Sequence, residues 1–268
     1  MSTQASGDRA CTDALLAYDG DLLATLPDAE VLDVCIGLHW TAVVVLAEGQ
    51  KRCGLASTLT GPYAHSAEPD VPQAGELHTL SGLALARLAC TSRPPLSSVG
   101  VAAINALLPP RPELWRDLNA EEAIAARGKN KTVALIGSFP FIPRLRTRVG
   151  RLIVLELDPG ADELPADSAP DILPRADVVA ITSMALVNHT LEHLLGLCKP
   201  AATVLLLGPS TPLSPVLFEH GVDVLSGSVV TDIDRVLAAI KQGANFRQVH
   251  RAGVRLVTMS RDGWSMSV

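Results

Sequence analysis

Aromatic side chains are scarce: three Trp, two Tyr and four Phe make up only 3% of the 268 residues. A core with so few rings must be filled by Ala, Val and Leu, and a hydrophobic content of 48% is ample for that. Each tryptophan (Trp40, Trp115, Trp264) therefore stands out. Basic residues are outnumbered, 22 Lys and Arg against 28 Asp and Glu, for a net charge of −6. A phosphate backbone is gripped by an excess of cations, so no nucleic-acid partner is expected. The five cysteines, Cys11, Cys35, Cys53, Cys90 and Cys198, are odd in number and never form a C-x-x-C pair. That spacing indicates neither a disulfide framework nor a thiolate zinc site, and it suits a reducing compartment. No apolar run approaches the roughly 18 residues of a membrane span, and "MSTQASGDRACTD" has no basic segment followed by an apolar stretch. The expectation is a cytoplasmic chain with no membrane partner.

What is present falls into two patterns. Residues 1–11 are expected to be a flexible N-terminus, and Leu15, Leu16, Leu22, Leu23 and Leu26 suggest a helix over 12–26. Short β-rich runs follow at 31–36, 41–47 and 52–58, the last two separated by Glu48-Gly49-Gln50, which predicts an antiparallel meander. Helices are expected at 77–89 and 97–108. Strands followed by helices predict a smaller α+β domain over 12–115 with one helix-covered face. The proline-rich "LLPPRPELWRD" (107–117) marks the junction. Over 116–268, apolar runs at 132–136, 152–157, 178–182, 203–207 and 222–225 alternate with helical segments at 142–149, 188–198, 214–220 and 232–243. That alternation predicts an α/β, Rossmann-like parallel sheet with helices on both faces, and ligands at the carboxyl ends of its strands.

The first of those strands runs into Gly137-Ser138-Phe139-Pro140-Phe141-Ile142-Pro143. A dinucleotide loop would continue in glycine. Here Pro140 and Pro143 each remove a backbone donor, which makes a poor pyrophosphate cradle and leaves only the helix dipole for a small anion. Glu156 ends the next strand about 20 residues on, where an adenosyl or dinucleotide binder places an acid on ribose hydroxyls; it equally serves as a loop cap.

Several phrases occur together: "GSFPFIP" (137–143), "LELDP" (155–159), "LPRADVVAITSMALVNHTLEHLL" (173–195), "GPSTPLSP" (208–215) and "GVDVLSG" (221–227). With "IGLHWTAVV" (36–44), "GLAST" (54–58) and "AAINALL" (102–108), they make the chain resemble the family named "Putative heavy-metal chelation" over about residues 12–245. The resemblance implies an enolase-N-terminal-like α+β domain, then a Rossmann-like domain, with the ligand in a cleft between them; it brings no established reaction. Ligand-binding candidates on the Rossmann-like side are Gly137, Phe139, Glu156, Thr182, Ser183 and Asn188, with Thr190, Gly208, Ser210 and Thr211. Thr41, Thr58 and Asn105 are the candidates opposite.

Four of these features have a plainer structural reading. Ser210 or Thr211 would cap a helix starting near Pro212, and Asn188 and Thr190 would cap the helix they open. His189-Thr190-Leu191-Glu192-His193 spells H-x-x-E-H, and two histidines four apart on one helix face can grip a metal. His39 is a third low-ranking metal candidate, Trp40 either stacks on a ligand or plugs the core, and Cys35 with Cys53 would form a soft-metal pair only if adjacent. The leading expectation is a protein that holds a small anionic or metal-chelating ligand, with a metal ion or an S-adenosylmethionine-like molecule as the cofactor and a homodimer as the assembly. The competing expectation is a transferase or lyase anchored on its adenosyl cofactor at Glu156. No nucleophile–base pair is legible, so catalysis is left undecided.

Overall fold

The computed structural model describes residues 17–61 and 69–263. The N-terminus expected to be flexible, the start of the first helix and Trp264 lie outside the described residues. The chain divides into two compact units, residues 1–110 with 228–255, and residues 111–227 with 256–268.

The first unit opens with α1 (Ala17–Ala24) and a meander of β1 (Glu30–Ile36), β2 (Trp40–Ala47) and β3 (Gln50–Ser57). The sheet order is β1-β2-β3, antiparallel throughout, with a bulge between Val31 and Asp33. The helix expected over 77–89 is broken. A single 3-10 turn at Leu77–Thr79 gives way to extended backbone at Leu80, and α2 (Gly82–Ala86) restarts with Ser81 accepting the Ala84 N–H at 3.2 Å. Helix α3 (Leu96–Leu107) is buried at nearly every position. It lies against β3 so closely that a β-carbon on Gly54 would collide with the backbone of Ala102 and Asn105.

The second unit starts with α4 (Ala120–Gly128), whose capping box pairs Asn119 with Glu122. Next come β4 (Thr132–Ile136), the one-turn α5 (Ile142–Leu145), β5 (Arg151–Glu156), a short β6 (Leu164–Pro165) and α6 (Ala169–Ile172). The chain goes on through β7 (Val178–Thr182), α7 (Met184–Val187), α8 (Leu191–Leu197), β8 (Thr203–Leu207), α9 (Val216–Glu219) and β9 (Val224–Val230). β4, β7 and β8 are central and almost wholly buried, so they read as continuous apolar runs. Ala123, Ile124, Val133, Leu135, Val178 and Leu205 belong to one cluster of this core. Two aspartates pin the strand starts: Asp177 Oδ2 accepts the Thr132 N–H at 3.0 Å, and Asp223 Oδ2 accepts that of Val204 at 2.9 Å.

After β9 come α10 (Ile233–Lys241), α11 (Phe246–Gly253) and β10 (Val254–Ser260). The seven-stranded sheet has the order β10-β9-β8-β7-β4-β5-β6. The pairs from β6 through β9 are parallel. β10 runs back along β9, with Thr231 N on Gly253 O at 2.7 Å and Arg261 N on Asp223 O at 2.9 Å.

The helical pair α10–α11 corrects the expectation of one helix-covered face in the first unit. Val236, Ile240 and Val249 pack with Trp40, Ala42 and Leu55, on the side of β2 opposite to Val43, whose partner Gly54 meets α3. Both faces of the small sheet are covered, and β2 is buried at seven of its eight positions. Sequence order had put residues 228–255 with the parallel sheet; their apolar faces belong to the meander.

Candidate functional site

The direction of winding reverses at the middle of the parallel sheet. From β4 the chain goes to β5 on one side, then returns to add β7 and β8 on the other. Such a switch point opens a crevice at the carboxyl ends of the two central strands, where open α/β sheets hold ligands. Gly137 follows β4 and Thr182 ends β7, and a β-carbon on Gly137 would stand 3.0 Å from Thr182 Cβ and 3.1 Å from the Phe139 ring. One strand further, Ser183 is 2% exposed, donates its N–H to Leu207 O at 2.6 Å, and places its hydroxyl against Gly208 (φ 126°). Gly137, Phe139, Thr182, Ser183 and Gly208 are thus brought together across three adjacent strand ends.

Beyond Gly208 the chain buries Ser210 (0% exposed), Thr211 (1%) and Ser214 (4%). The expected cap at Ser210 or Thr211 does not form. α9 begins at Val216, and Ser214 takes the Val216 N–H at 3.4 Å. Thr211 Oγ1 has no hydrogen-bond partner although it is buried, and an unmet buried hydroxyl costs about 1–3 kcal/mol.

On the other side of the switch point Glu156 Oε1 accepts the N–H of Leu157 at 2.8 Å, which is the loop-cap geometry. Ser138 Oγ donates to Glu163 Oε1 at 3.2 Å and ties the loop after β4 to the one after β5. Phe139 and Phe141 stack at 5.1 Å and pack on the core. The helix expected from 142 to 149 is only the four residues of α5. A single turn has too few aligned peptides for a useful macrodipole, so the anion cradle expected there is withdrawn.

The histidine pair is also corrected. α8 begins at Leu191, and His189 sits before it in the left-handed region (φ 61°), so His189 and His193 do not share a helix face. Asn188 and Thr190 join their side chains at 2.8 Å in the turn between α7 and α8, and neither caps α8 with its side chain. His39 is exposed in the β1–β2 turn, where its carbonyl accepts the Thr58 N–H at 3.0 Å.

In the first unit the candidates serve the sheet. The hydroxyls of Thr41 and Thr58 lie 2.9 Å apart, and Asn105 Nδ2 donates to Leu55 O at 2.9 Å. Trp40 plugs the core, 7% exposed and 5.3 Å from the Phe246 ring. Cys35 and Cys53 stand on β1 and β3 with β2 between them. Burial pushes the Cys53 thiol up to about 12, Cys35 and Asp33 adding to it. It raises the Cys35 thiol too, against the pull of Lys241, and lifts Cys198 to about 11. Without a metal these groups are held as thiols, so a soft metal would have to displace their protons on binding. Among the described residues no group of three His, Cys, Asp or Glu side chains could hold a metal ion. The donor set of the described residues does not fit a bare heavy-metal ion.

A surface depression of about 680 Å³ and another of about 350 Å³ border the outer edge of β1 on either side of His78. None of the candidate ligand-binding residues lines either one. The switch point carries more weight because topology, buried hydroxyls and close strand ends converge there.

Among curated proteins, the chain is 27% identical over 226 residues to uncharacterized protein MJ0500 of Methanocaldococcus jannaschii, a match covering 80% of this chain and 84% of that one. A crystal structure of a protein of unknown function from the DUF364 family of Desulfitobacterium hafniense is similar with a TM-score of 0.75 and 27% identity, covering 91% of this chain and 97% of that one. A second DUF364 structure, from Pyrococcus horikoshii, has a TM-score of 0.73 at 24% identity, covering 91% of this chain and 98% of that one, and supports the fold alone. Residues 20–108 match the family DUF4213 and residues 120–259 the family DUF364, both described as "Putative heavy-metal chelation". With its fold shared and more than half of its length matched, the chain belongs to the DUF364 family.

Proposed function

We propose that the second unit holds a small metal chelate at the carboxyl edge of its parallel sheet, the metal arriving as cargo inside its own ligand cage. The observation that carries this reading is the chemistry of the strand-end loops. β5 ends in Glu156, and the segment after it adds Asp158, Asp162 and Glu163; the loops after β7 and β8 bury the hydroxyls of Ser183, Ser210 and Thr211. The segments 137–141, 157–163, 183–190 and 208–215 contain neither Lys nor Arg.

Four carboxylates in this stretch, with Arg146 reaching the Asp162 carbonyl beside them, leave an acidic excess that favours a ligand of positive charge. Buried hydroxyls suit the amine, hydroxyl or water ligands of a complex better than the metal itself, since thiophilic ions select sulfur and imidazole. An anionic ligand loses support from this charge, and from the single turn of α5.

Thermal shift tests the reading. Tris(ethylenediamine)cobalt(III), an exchange-inert cation, should raise Tm in a concentration-dependent way. Iron(III) citrate, an anionic chelate, and bare Zn(II) should not. Stabilisation by S-adenosylmethionine with none by the cobalt complex would replace this reading by the adenosyl one.

A further inference from the structure

We infer that the amino edge of the same parallel sheet is a docking surface for a carboxylate-rich segment of another protein. The chain is acidic as a whole, yet its cations gather here. The turn from α4 to β4 carries Lys129 and Lys131, β5 starts with Arg151, and Arg175 precedes β7. All four are exposed, and among the described residues none has an ion-pair partner.

The backbone brings them together. Arg151 N donates to Lys131 O at 3.0 Å, Gly150 N to Gly128 O at 3.2 Å, and Asp177 N to Thr132 O at 2.9 Å. The starts of β5, β4 and β7 are therefore neighbours, about 10 Å from first to last at the usual strand spacing. The acid inside this stretch is already occupied: Asp177 Oδ1 pairs with Lys199 Nζ at 2.7 Å and its Oδ2 holds the Thr132 N–H. Nearby arginines already have partners, Arg144 and Arg148 on Glu121 and Arg146 on the carbonyls of Leu152 and Asp162, although the first two stay exposed. What is left facing water is a platform of four cations with no ion-pair partner among the described residues, carried on hydrogen-bonded strand starts; Lys131 also acts on the Asp177 carboxylate.

The size and setting of the platform select the partner. A 10 Å span matches two or three carboxylates of an extended peptide and is short for a phosphate backbone, which gains from a long run of contacts. The whole chain carries −6, so the remainder without these four cations carries −10 and repels any long polyanion.

The test uses the full chain with three fluorescent probes, a hexaglutamate peptide, a hexaglutamine peptide and a 12-base-pair DNA duplex, followed by anisotropy. Hexaglutamate should bind at low salt and be released as ionic strength rises toward 0.2 M, while hexaglutamine should not bind. Lys129→Glu with Arg151→Glu should weaken hexaglutamate on the order of tenfold or more, since close charge pairs couple by more than about 1.4 kcal/mol. The double change Lys51→Glu with Arg247→Glu, at exposed cations of the first unit, should leave it within about twofold, as rim charges outside a contact do. Lys129→Gln with Arg151→Gln repeats the test should charge reversal disturb folding, which circular dichroism reports. Absent hexaglutamate binding, equal losses in both double variants, or tighter binding of the duplex would overturn the assignment.

Discussion

The hydroxyl of Ser183 fills the space that a side chain on Gly208 would need, and Gly208 is itself in the left-handed region with φ 126°. The two residues lock the ends of β7 and β8 together where the candidate site begins. Gly208→Ala should cost on the order of 2–3 kcal/mol from strain and overpacking combined. Adding Ser183→Ala should recover only the overpacking part, because the backbone strain stays. Urea denaturation of the single and double variants measures both.

Thr211→Val tests the unpartnered hydroxyl directly. Replacing a buried, unmet hydroxyl by a methyl of similar shape removes a desolvation cost, so Tm should stay level or rise. Affinity for the cobalt chelate should fall about fivefold, the worth of one hydrogen bond near 1 kcal/mol. A drop in Tm with unchanged chelate binding would show that the hydroxyl serves the fold.

Glu121 makes stability depend on pH. Its side chain, 11% exposed, meets Arg144 at 2.6 Å and Arg148 at 3.2 Å. The Arg144 hydrogen bonds hold its carboxyl below the usual range against the opposing effect of burial, with Arg148 adding to them. A carboxyl depressed in the folded state contributes stability above the unfolded value near 4.3 and loses it as pH falls through the folded value. Glu121→Gln should therefore cost about 1 kcal/mol at pH 7, discounted for the exposed arginines, and progressively less as pH falls through the folded value. Denaturation midpoints across that range check the crossing.

Thiol titration checks the donor set. With Cys53 near 12 and Cys198 near 11, their thiolate fractions at pH 8 are about one part in a thousand or less, and burial lowers that of Cys35 as well. In a Cys11→Ser chain, Ellman's reagent should react fast only after guanidinium unfolding. Rapid native reaction of Cys35 or Cys53 would reopen a soft-metal pair.

A fragment ending at Pro110 keeps the meander but loses α10 and α11, and so exposes the face formed by Trp40, Ala42, Val44 and Leu55. It should bind a hydrophobic dye and aggregate. Joining residues 228–255 to it through a flexible linker should restore a cooperative thermal transition.

The ease of reading each part from sequence followed how local its cause is. β4, β7 and β8 lie in the middle of a sheet covered on both faces, so their apolar runs announce them at the observed bounds, and "GPST" signalled a strand-end loop. The short helices α5, α8 and α9 were overextended, because prolines and polar turns end them where periodicity alone continues. H-x-x-E-H looked like a metal grip because a string of letters carries no φ angle, and the turn between α7 and α8 puts His189 in the left-handed region. Hidden altogether was the cover of the first sheet by segments nearly 200 residues away, since α10 and α11 carry ordinary amphipathic patterns that would fit any apolar face. The pooling of cations at one edge of the parallel sheet was equally hidden by a net count.

The chain passes between its two units inside β9, at Gly227–Ser228, and inside β10, at Arg255–Leu256, as well as at Pro110–Arg111. The stretch matching DUF364, residues 120–259, therefore includes a hairpin of helices that completes the core of the DUF4213 portion. Neither portion is a self-sufficient module that recombination could deal out singly. In this chain either portion without the other would be an orphaned pair of helices or a naked sheet.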